Sequence, residues 1–378
     1  MKKQFVLVIM ILIVCLSLTG CWSYIGLEEI SIVSGMTLDY DEKTNEFIIN
    51  FELIDTAHSS KEGEVKAVVI ESKGPTIFIA IRNARKLVAK KLYLGSCKVI
   101  VIGSKMAKMK ELDAAIDFLL RDPETREIMH IFISKGDEAK EIFTAEKVNS
   151  NLLTQSLFEI AEESKKVTQT VYTNRLFQIK NKLGDNKIPF IIPMVELSEN
   201  NGKKVVAING IAIIQNKKMY DVIDSDKSLF VSYADNKIAK GVISCDINND
   251  GKDDVTYEVK NNVTTRRFEH QGEKIKLIIK IKTNVMVAEL LMPMNTANLD
   301  IITELEGVLN SYLEKNIMNV VKLSQEKYKS DFMRVGETIH KQDYKFWNQI
   351  SENWQEIYPN IEIEVQCKAT ILNTGLIK

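Results

Sequence analysis

Apolar and polar positions alternate with a period of two over residues 34–40 and again over 46–53. The polar stretch Asp41-Glu42-Lys43-Thr44-Asn45 lies between them, so the pattern predicts a β-hairpin. Residues 67–72 read as a further short strand. The period then changes. Ile77, Ala80, Ile81, Ala84, Leu87 and Val88 recur at helical spacing, and Thr76 is placed to cap a helix over 76–88. Residues 99–102 form a continuous apolar run closed by Gly103, the mark of a buried strand. Residues 112–121 are amphipathic and end before Pro123, which cannot continue a helix. A strand over 127–134 and a short helix over 138–143 follow. Helices are predicted over 149–165 and 174–183, and strands over 188–197, 205–215 and 219–223, with Asn200-Asn201-Gly202 as a turn.

The last third carries the sharpest pattern. Over 274–282, Ile275, Leu277, Ile279 and Ile281 share one face and Lys274, Lys276, Lys280 and Lys282 the other, which predicts a half-buried antiparallel strand with a solvated basic side. A long helix is predicted from a cap at Asp300 to about residue 334. Leu305, Leu309, Leu313 and Val320 form its stripe, and Gly336 ends it. A second helix begins at Asp343, buries Trp347 and Trp354, and stops at Pro359. Strict alternation over 361–371 closes the chain as a strand. The predicted fold class is α+β in two to three mixed domains, with mainly antiparallel sheets and helices packed on one face. The predicted division is 1–20 as a lipoprotein signal peptide, 21–145 as an N-terminal domain, 146–240 as a middle domain, and 241–378 as a C-terminal domain with long helices.

The amino terminus is not part of this fold. Lys2 and Lys3 precede an apolar run of about 12 residues, too short to span a bilayer but suited to a signal-peptide core. Leu18-Thr19-Gly20-Cys21 follows with the form of a lipobox, in which the Cys21 thiol takes a diacylglyceryl group as a thioether. The expected mature protein is tethered by lipid on Cys21 to the outer face of a cytoplasmic membrane, with Trp22 at the interface. Composition agrees with an ordinary globular chain: 45% hydrophobic and 27% charged residues. A net charge of −1 supplies no global field towards nucleic acid. Cys97, Cys245 and Cys367 lack the close spacing of a redox or zinc motif, and Cys97 and Cys367, in apolar strand-like runs, read as buried free thiols.

Candidate chemistry is sparse. His58, His130, His270 and His340 are scattered, and no nucleophile elbow or P-loop is present, so the chain reads as non-enzymatic. One local motif stands out. Asp246, Asn248, Asp250 and Asp254, with the Lys252 carbonyl, match the oxygen spacing of a Ca2+ loop, and Gly251 permits its sharp turn. Tyr257 stands where a bidentate Glu would complete an EF-hand, and an acidic hairpin tip is the simpler account. Arg121, Asp122, Glu124 and Arg126 form a charge cluster that is either a partner surface or a solvated helix end.

Four co-linear stretches resemble a known family. Cys21-Trp22 followed by Leu27-Glu28-Glu29-Ile30-Ser31-Ile32-Val33-Ser34-Gly35-Met36-Thr37-Leu38-Asp39 is similar to the mature start of the Ger(x)C spore-germination lipoproteins, the C subunits of germinant receptors. Asp117-Phe118-Leu119-Leu120-Arg121-Asp122-Pro123-Glu124-Thr125-Arg126 resembles that family's first-domain helix end. Asn209-Gly210-Ile211-Ala212 resembles its mid-chain strand. Phe346-Trp347, Trp354, Pro359 and Thr374-Gly375-Leu376-Ile377 resemble its ending. The resemblance implies a three-domain α+β protein without catalytic residues, working with an integral-membrane B subunit and a partly embedded A subunit in the spore inner membrane. The rival expectation is an extracytoplasmic solute-binding lipoprotein of a transporter, although regular β-α-β lobes are not evident.

Overall fold

The computed structural model describes residues 4–5, 10, 26–55, 65–148, 150–167, 174–184, 188–238, 240–247, 251, 253–272, 274–291, 294 and 298–374. The chain enters as the hairpin β1 (Ile30–Asp41) and β2 (Glu46–Asp55), then β3 (Lys66–Gly74), α1 (Ile77–Ala84), β4 (Lys91–Tyr93) and β5 (Val99–Ile102). Helices α2 (Ser104–Met109) and α3 (Leu112–Arg121) lead to β6 (His130–Ser134). Helices α4 (Leu153–Val167) and α5 (Leu176–Gly184) precede the meander β7 (Phe190–Asn200), β8 (Lys203–Gln215) and β9 (Lys218–Ile223). After α6 (Ser225–Ala234) comes a second set of strands, β10 (Gly241–Cys245), β11 (Val255–Gln271) and β12 (Lys274–Leu290). Helices α7 (Leu299–Lys322), α8 (Val335–Gln342), α9 (Tyr344–Ile350) and α10 (Trp354–Ile357) then lead to the closing strand β13 (Glu362–Asn373).

The described strands form two sheets, so the chain is α+β. The first runs β3-β2-β1-β5-β6-β7-β8-β9, with β4 paired to the start of β1. It therefore joins strands from the expected units 21–145 and 146–240, and it does so through a narrow seam. Strands β6 and β7 pair only at Ile133↔Met194 and Ser134↔Val195. The outer pairings are antiparallel, as expected, but β1, β5, β6 and β7 form a parallel centre. Both faces of this centre are covered. Val99 and Val101 pack with Phe132, Leu157 and Ala161 under α4. Ile100 and Ile102 pack with Ala80, Ala84, Ile116 and Leu119 under α1 and α3. The expectation of helices on one face holds for the second sheet and is corrected for the first. A strand buried on both sides carries an unbroken apolar run with no alternation to announce it.

The second sheet runs β10-β11-β12-β13. Ile275, Leu277, Ile279 and Ile281 face Leu305, Leu309, Leu313 and Ile317 of α7, as their periodicities require. Strand β12 is antiparallel to β11 and parallel to β13. The outer edge of β13 is occupied by side chains of α7. Glu314 Oε1 accepts from Cys367 N at 2.7 Å, Asn310 Oδ1 from Ala369 N at 2.6 Å, and Glu306 Oε1 from Ile371 N at 2.7 Å. The spacing explains the fit. Four helical residues rise about 6 Å and two strand residues about 6.6 Å, so every fourth acceptor meets every second donor. Asn310→Leu is expected to leave the Ala369 N–H buried without an acceptor, at a cost of about 2 kcal/mol by chemical denaturation.

The long helix expected to about residue 334 is shorter, and two of its punctuation residues act differently. Asn298, not Asp300, is the cap, its Oδ1 accepting from Asp300 N at 2.9 Å. After Lys322 the helix widens into a π turn at Leu323–Lys327, with Tyr328 N bonded to Leu323 O at 2.9 Å. Lys329 and Arg334 have left-handed backbones, at φ 46° and 58°. Gly336, expected to end the helix, lies inside α8, where a Cβ would stand 2.7 Å from Trp347 Cη2 and 2.9 Å from Trp354 Nε1. The apolar stripe runs on through Tyr328 and Phe332, which are both buried, so periodicity alone does not mark the break.

Buried carboxylates fasten distant elements. Glu52 on β2 accepts from Leu153 N at 2.6 Å, Thr154 N at 3.1 Å and Ser34 Oγ at 2.8 Å, and also from Thr154 Oγ1, so it caps α4 from across the sheet. Asp39 on β1 accepts from Ala139 N at 2.6 Å and Lys140 N at 3.1 Å. Burial pushes its pKa up to about 6, against the pull of those two N–H groups. Asp331 accepts from Val335 N and Gly336 N, each at 2.7 Å, and from Trp354 Nε1 at 2.9 Å.

Candidate functional site

Helix α1 starts where the sequence places it, with Thr76 Oγ1 accepting from Ile79 N at 3.2 Å. Its buried stripe is Ile77, Ala80 and Ala84, whose small members let the helix lie close to the sheet. That leaves Phe78, Arg82 and Arg85 on one flank. Helix α3 buries Leu112, Ala115, Ile116 and Leu119, and leaves Phe118 and Arg121 facing α1. Between these flanks and β4 lies a cleft of about 440 Å³. Phe78, Ile81, Leu92, Leu94 and Phe118 give it apolar walls. Arg82, Arg85, Lys91, Arg121, Asp122 and Glu124 give it a charged rim.

The rim charges are not equivalent. Lys91 is paired with Glu124, and Asp122 Oδ1 accepts from Glu124 N at 2.9 Å. Arg121 Nε lies 2.5 Å from Asp117 Oδ2 and Lys180 Nζ 3.0 Å from Asp117 Oδ1, and these two cations hold the Asp117 carboxyl below its ordinary range. Arg82 lies over the Phe78 ring, 4.9 Å from its centroid, and the Phe78 and Phe118 rings meet edge to face at 6.2 Å. Neither Arg82 nor Arg85 has a carboxylate partner among the described residues. The cleft thus offers two guanidinium groups without a carboxylate partner among the described residues, beside exposed aromatic surface. Its described lining combines charge with apolar surface, the composition of a binding cleft.

Of the predicted charge cluster, Arg121, Asp122 and Glu124 line this cleft and Arg126 lies beyond it. The α1 and β4 contributions escape sequence reading because three separate segments converge only in the fold. Cys21 and Trp22 lie outside the described residues. So do Asn248, Asp250 and Lys252 of the Ca2+ motif. Of the remainder, Asp246 Oδ2 accepts from Gly251 N at 2.8 Å and Asp254 Oδ2 from Ile247 N at 3.0 Å. Both carboxylates are thereby engaged in the turn itself.

The basic face of β12 is partly neutralised, since Lys276 Nζ sits 2.6 Å from Glu362 and 2.8 Å from Glu364 on β13. Trp347 and Trp354 are buried against each other, edge to face at 5.4 Å. Cys97 and Cys245 are buried free thiols and Cys367 is half-buried. Burial pushes all three up to about 12, which keeps them protonated and unreactive at neutral pH. His130 Nε2 lies 2.7 Å from Glu162 Oε1, while His270 stacks on Phe346 at 3.9 Å and His340 lies beside Tyr344. No group of three or more His, Cys, Asp or Glu that could hold a metal ion occurs among the described residues. No helix among the described residues is long and apolar enough to cross a membrane.

Comparison with known proteins gives one consistent answer. Spore germination protein KC of Bacillus subtilis (strain 168) is 24% identical over 100% of this chain and 97% of its own length. Spore germination protein B3 of the same organism is 22% identical over 96% of each, and spore germination protein A3 is 24% identical over 97% of each. The crystal structure of the GerBC protein shares the fold, with a TM-score of 0.57 at 17% identity, over 90% of this chain and 97% of that one. The model of the spore germination protein N-terminal domain matches residues 23–197, and that of the spore germination B3/GerAC-like C-terminal domain matches residues 209–375. With both halves matched in order over nearly its whole length, the chain belongs to the GerAC-like family of spore germination proteins.

Proposed function

We propose that this protein is the membrane-anchored, non-enzymatic C subunit of a spore germinant receptor. Lipid on Cys21 holds it at the outer face of the spore inner membrane. There it assembles with an integral-membrane B subunit and a partly embedded A subunit to trigger germination in response to nutrients. One observation carries the reading. The two germination domain matches follow one another in order across residues 23–197 and 209–375, and the first begins two residues after Cys21. The cleft supports a binding role, because it offers charge and apolar surface together.

Extraction of the full chain from spore inner membranes in mild detergent, with identification of the bound proteins, tests this. The expected result is recovery of a multi-spanning subunit together with a large partly cytosolic one, and loss of membrane retention on Cys21→Ala. Recovery of a permease with an ATPase would replace the proposal with the solute-binding alternative.

A further inference from the structure

We propose that the α1–β4 cleft and the exposed flank of α1 dock on an anionic phospholipid bilayer, with acidic headgroups seated against Arg82 and Arg85. Phe78, Ile79 and Leu87 enter the interface beside them. This rests on the reading of Cys21 as a lipid anchor, and adds to it a defined membrane-facing surface.

Charge is the first reason. Between Glu71 and Glu111 the chain carries no Asp or Glu, yet it carries ten Lys and Arg, in a protein whose net charge is −1. This one-signed segment includes α1, β4 and most of the cleft. At the rim the two acids are satisfied within the protein, by Lys91 and by the Glu124 N–H, whereas Arg82 and Arg85 are not paired with any described carboxylate. A positive surface with open guanidinium groups is complementary to phosphodiester headgroups, which guanidinium binds in bidentate fashion.

The apolar component is the second. Phe78 is 46% exposed, Ile79 38% and Leu87 62%, all within the segment that carries Arg82, Arg85, Lys86 and Lys90. Large apolar side chains interleaved with cations on a short amphipathic helix are the composition of an interfacial element, in which the rings enter the headgroup boundary and the cations hold the phosphates.

Position is the third. Lys91-Leu92-Tyr93 of β4 pair in parallel with Ile30-Ser31-Ile32. Ile30 lies nine residues after Cys21. At about 3.3–3.6 Å per residue that chain reaches no further than about 32 Å, so an acylated Cys21 keeps the bilayer within reach of the cleft. The face that β4 joins to the start of β1 is the one whose charge and apolar exposure suit a lipid surface.

The test uses the full acylated chain, reconstituted into phosphatidylcholine vesicles and into vesicles containing phosphatidylglycerol. Flotation reports anchoring, and hydrogen exchange over residues 77–91 reports docking. The expected result is flotation with both vesicle types, but slowed exchange at 77–91 only with phosphatidylglycerol, reversed by high salt. Each cation near the surface contributes about fivefold in docking, so Arg82→Gln/Arg85→Gln is expected to weaken it about 30-fold and abolish the protection. Both side chains are exposed, so the variant keeps its fold, as unchanged exchange elsewhere will show.

Flotation with equal exchange on the two vesicle types overturns the docking proposal and leaves the anchor intact. Protection that appears only when receptor subunits are added also overturns it, and assigns the face to a protein. Flotation with phosphatidylglycerol alone removes the anchor while supporting the docking. Failure to float with either removes both.

Discussion

Glu52→Ala is expected to destabilise the attachment of α4 by about 4 kcal/mol. The Glu52 side chain is 1% exposed and accepts from two backbone N–H groups of the first turn of α4, from Thr154 Oγ1 and from Ser34 Oγ. Truncation removes a cap worth about 1 kcal/mol and leaves the buried Leu153 and Thr154 N–H groups without their acceptor, each costing about 1–3 kcal/mol, whereas Ser34 Oγ and Thr154 Oγ1 keep Glu52 O and Ser34 Oγ as acceptors. Water cannot easily replace the carboxylate, because Gly35 brings β1 so close that a Cβ there would stand 2.5 Å from Thr154. Hydrogen exchange within α4 is the sensitive readout. A loss of about 4 kcal/mol accelerates exchange by opening roughly a thousandfold. Glu52→Gln, which keeps one acceptor oxygen, is expected to lose about half as much. Unchanged exchange in α4 on Glu52→Ala would show that the helix is held by its apolar face alone.

Asp331→Ala is expected to cost about 3 kcal/mol in the part of the chain built on the second sheet, read by chemical denaturation near pH 4, where the side chain contributes most. Asp331 starts α8 by accepting from Val335 N and Gly336 N, and it ties that helix to Trp354 through the indole N–H. Burial drives its pKa up to about 6, opposed by the N–H groups of Gly336 and Val335 and then by the Trp354 indole. The sign of the pH effect follows. In the unfolded chain this carboxyl titrates near 3.8, so between about pH 4 and 6 the folded state holds a proton that the unfolded state has released. The Asp331 contribution is therefore fullest below about pH 4 and is lost as pH rises to about 6, by roughly 3 kcal/mol at 1.4 kcal/mol per pKa unit. Asp39 acts in the same direction. Asp331→Asn is expected to flatten this slope, and an unchanged pH profile in that variant would place the titration elsewhere.

Much of the fold was legible because periodicity and punctuation agreed. Strand Val99–Ile102 with Gly103 behind it, and helix Leu112–Arg121 with Pro123 after it, appear where the pattern put them. The strand over residues 361–371 and the helix start at Asp343, whose Oδ1 accepts from Phe346 N at 2.9 Å, are equally direct. What escaped was pairing. An apolar run such as His130–Ser134 states that a strand is buried, but not which neighbours bury it or in which direction they run. The break after Lys322 escaped because Tyr328 and Phe332 keep the apolar rhythm across it. The capping carboxylates did leave a signal, since Glu52 and Asp39 are acids inside otherwise buried strands, where a charge has to find donors. The cleft left only half of one. The cluster at 121–124 marks its far wall, while α1 and β4 join it through sheet topology alone.

The acceptors that α7 lays along β13 have a consequence beyond holding the sheet. A terminal strand with bare N–H groups is a template for a strand from another molecule. Here the carboxylates and amide of Glu306, Asn310 and Glu314 already occupy those donors, so neighbouring copies find no free register to copy. Along this edge, growth by strand addition stops at the helix.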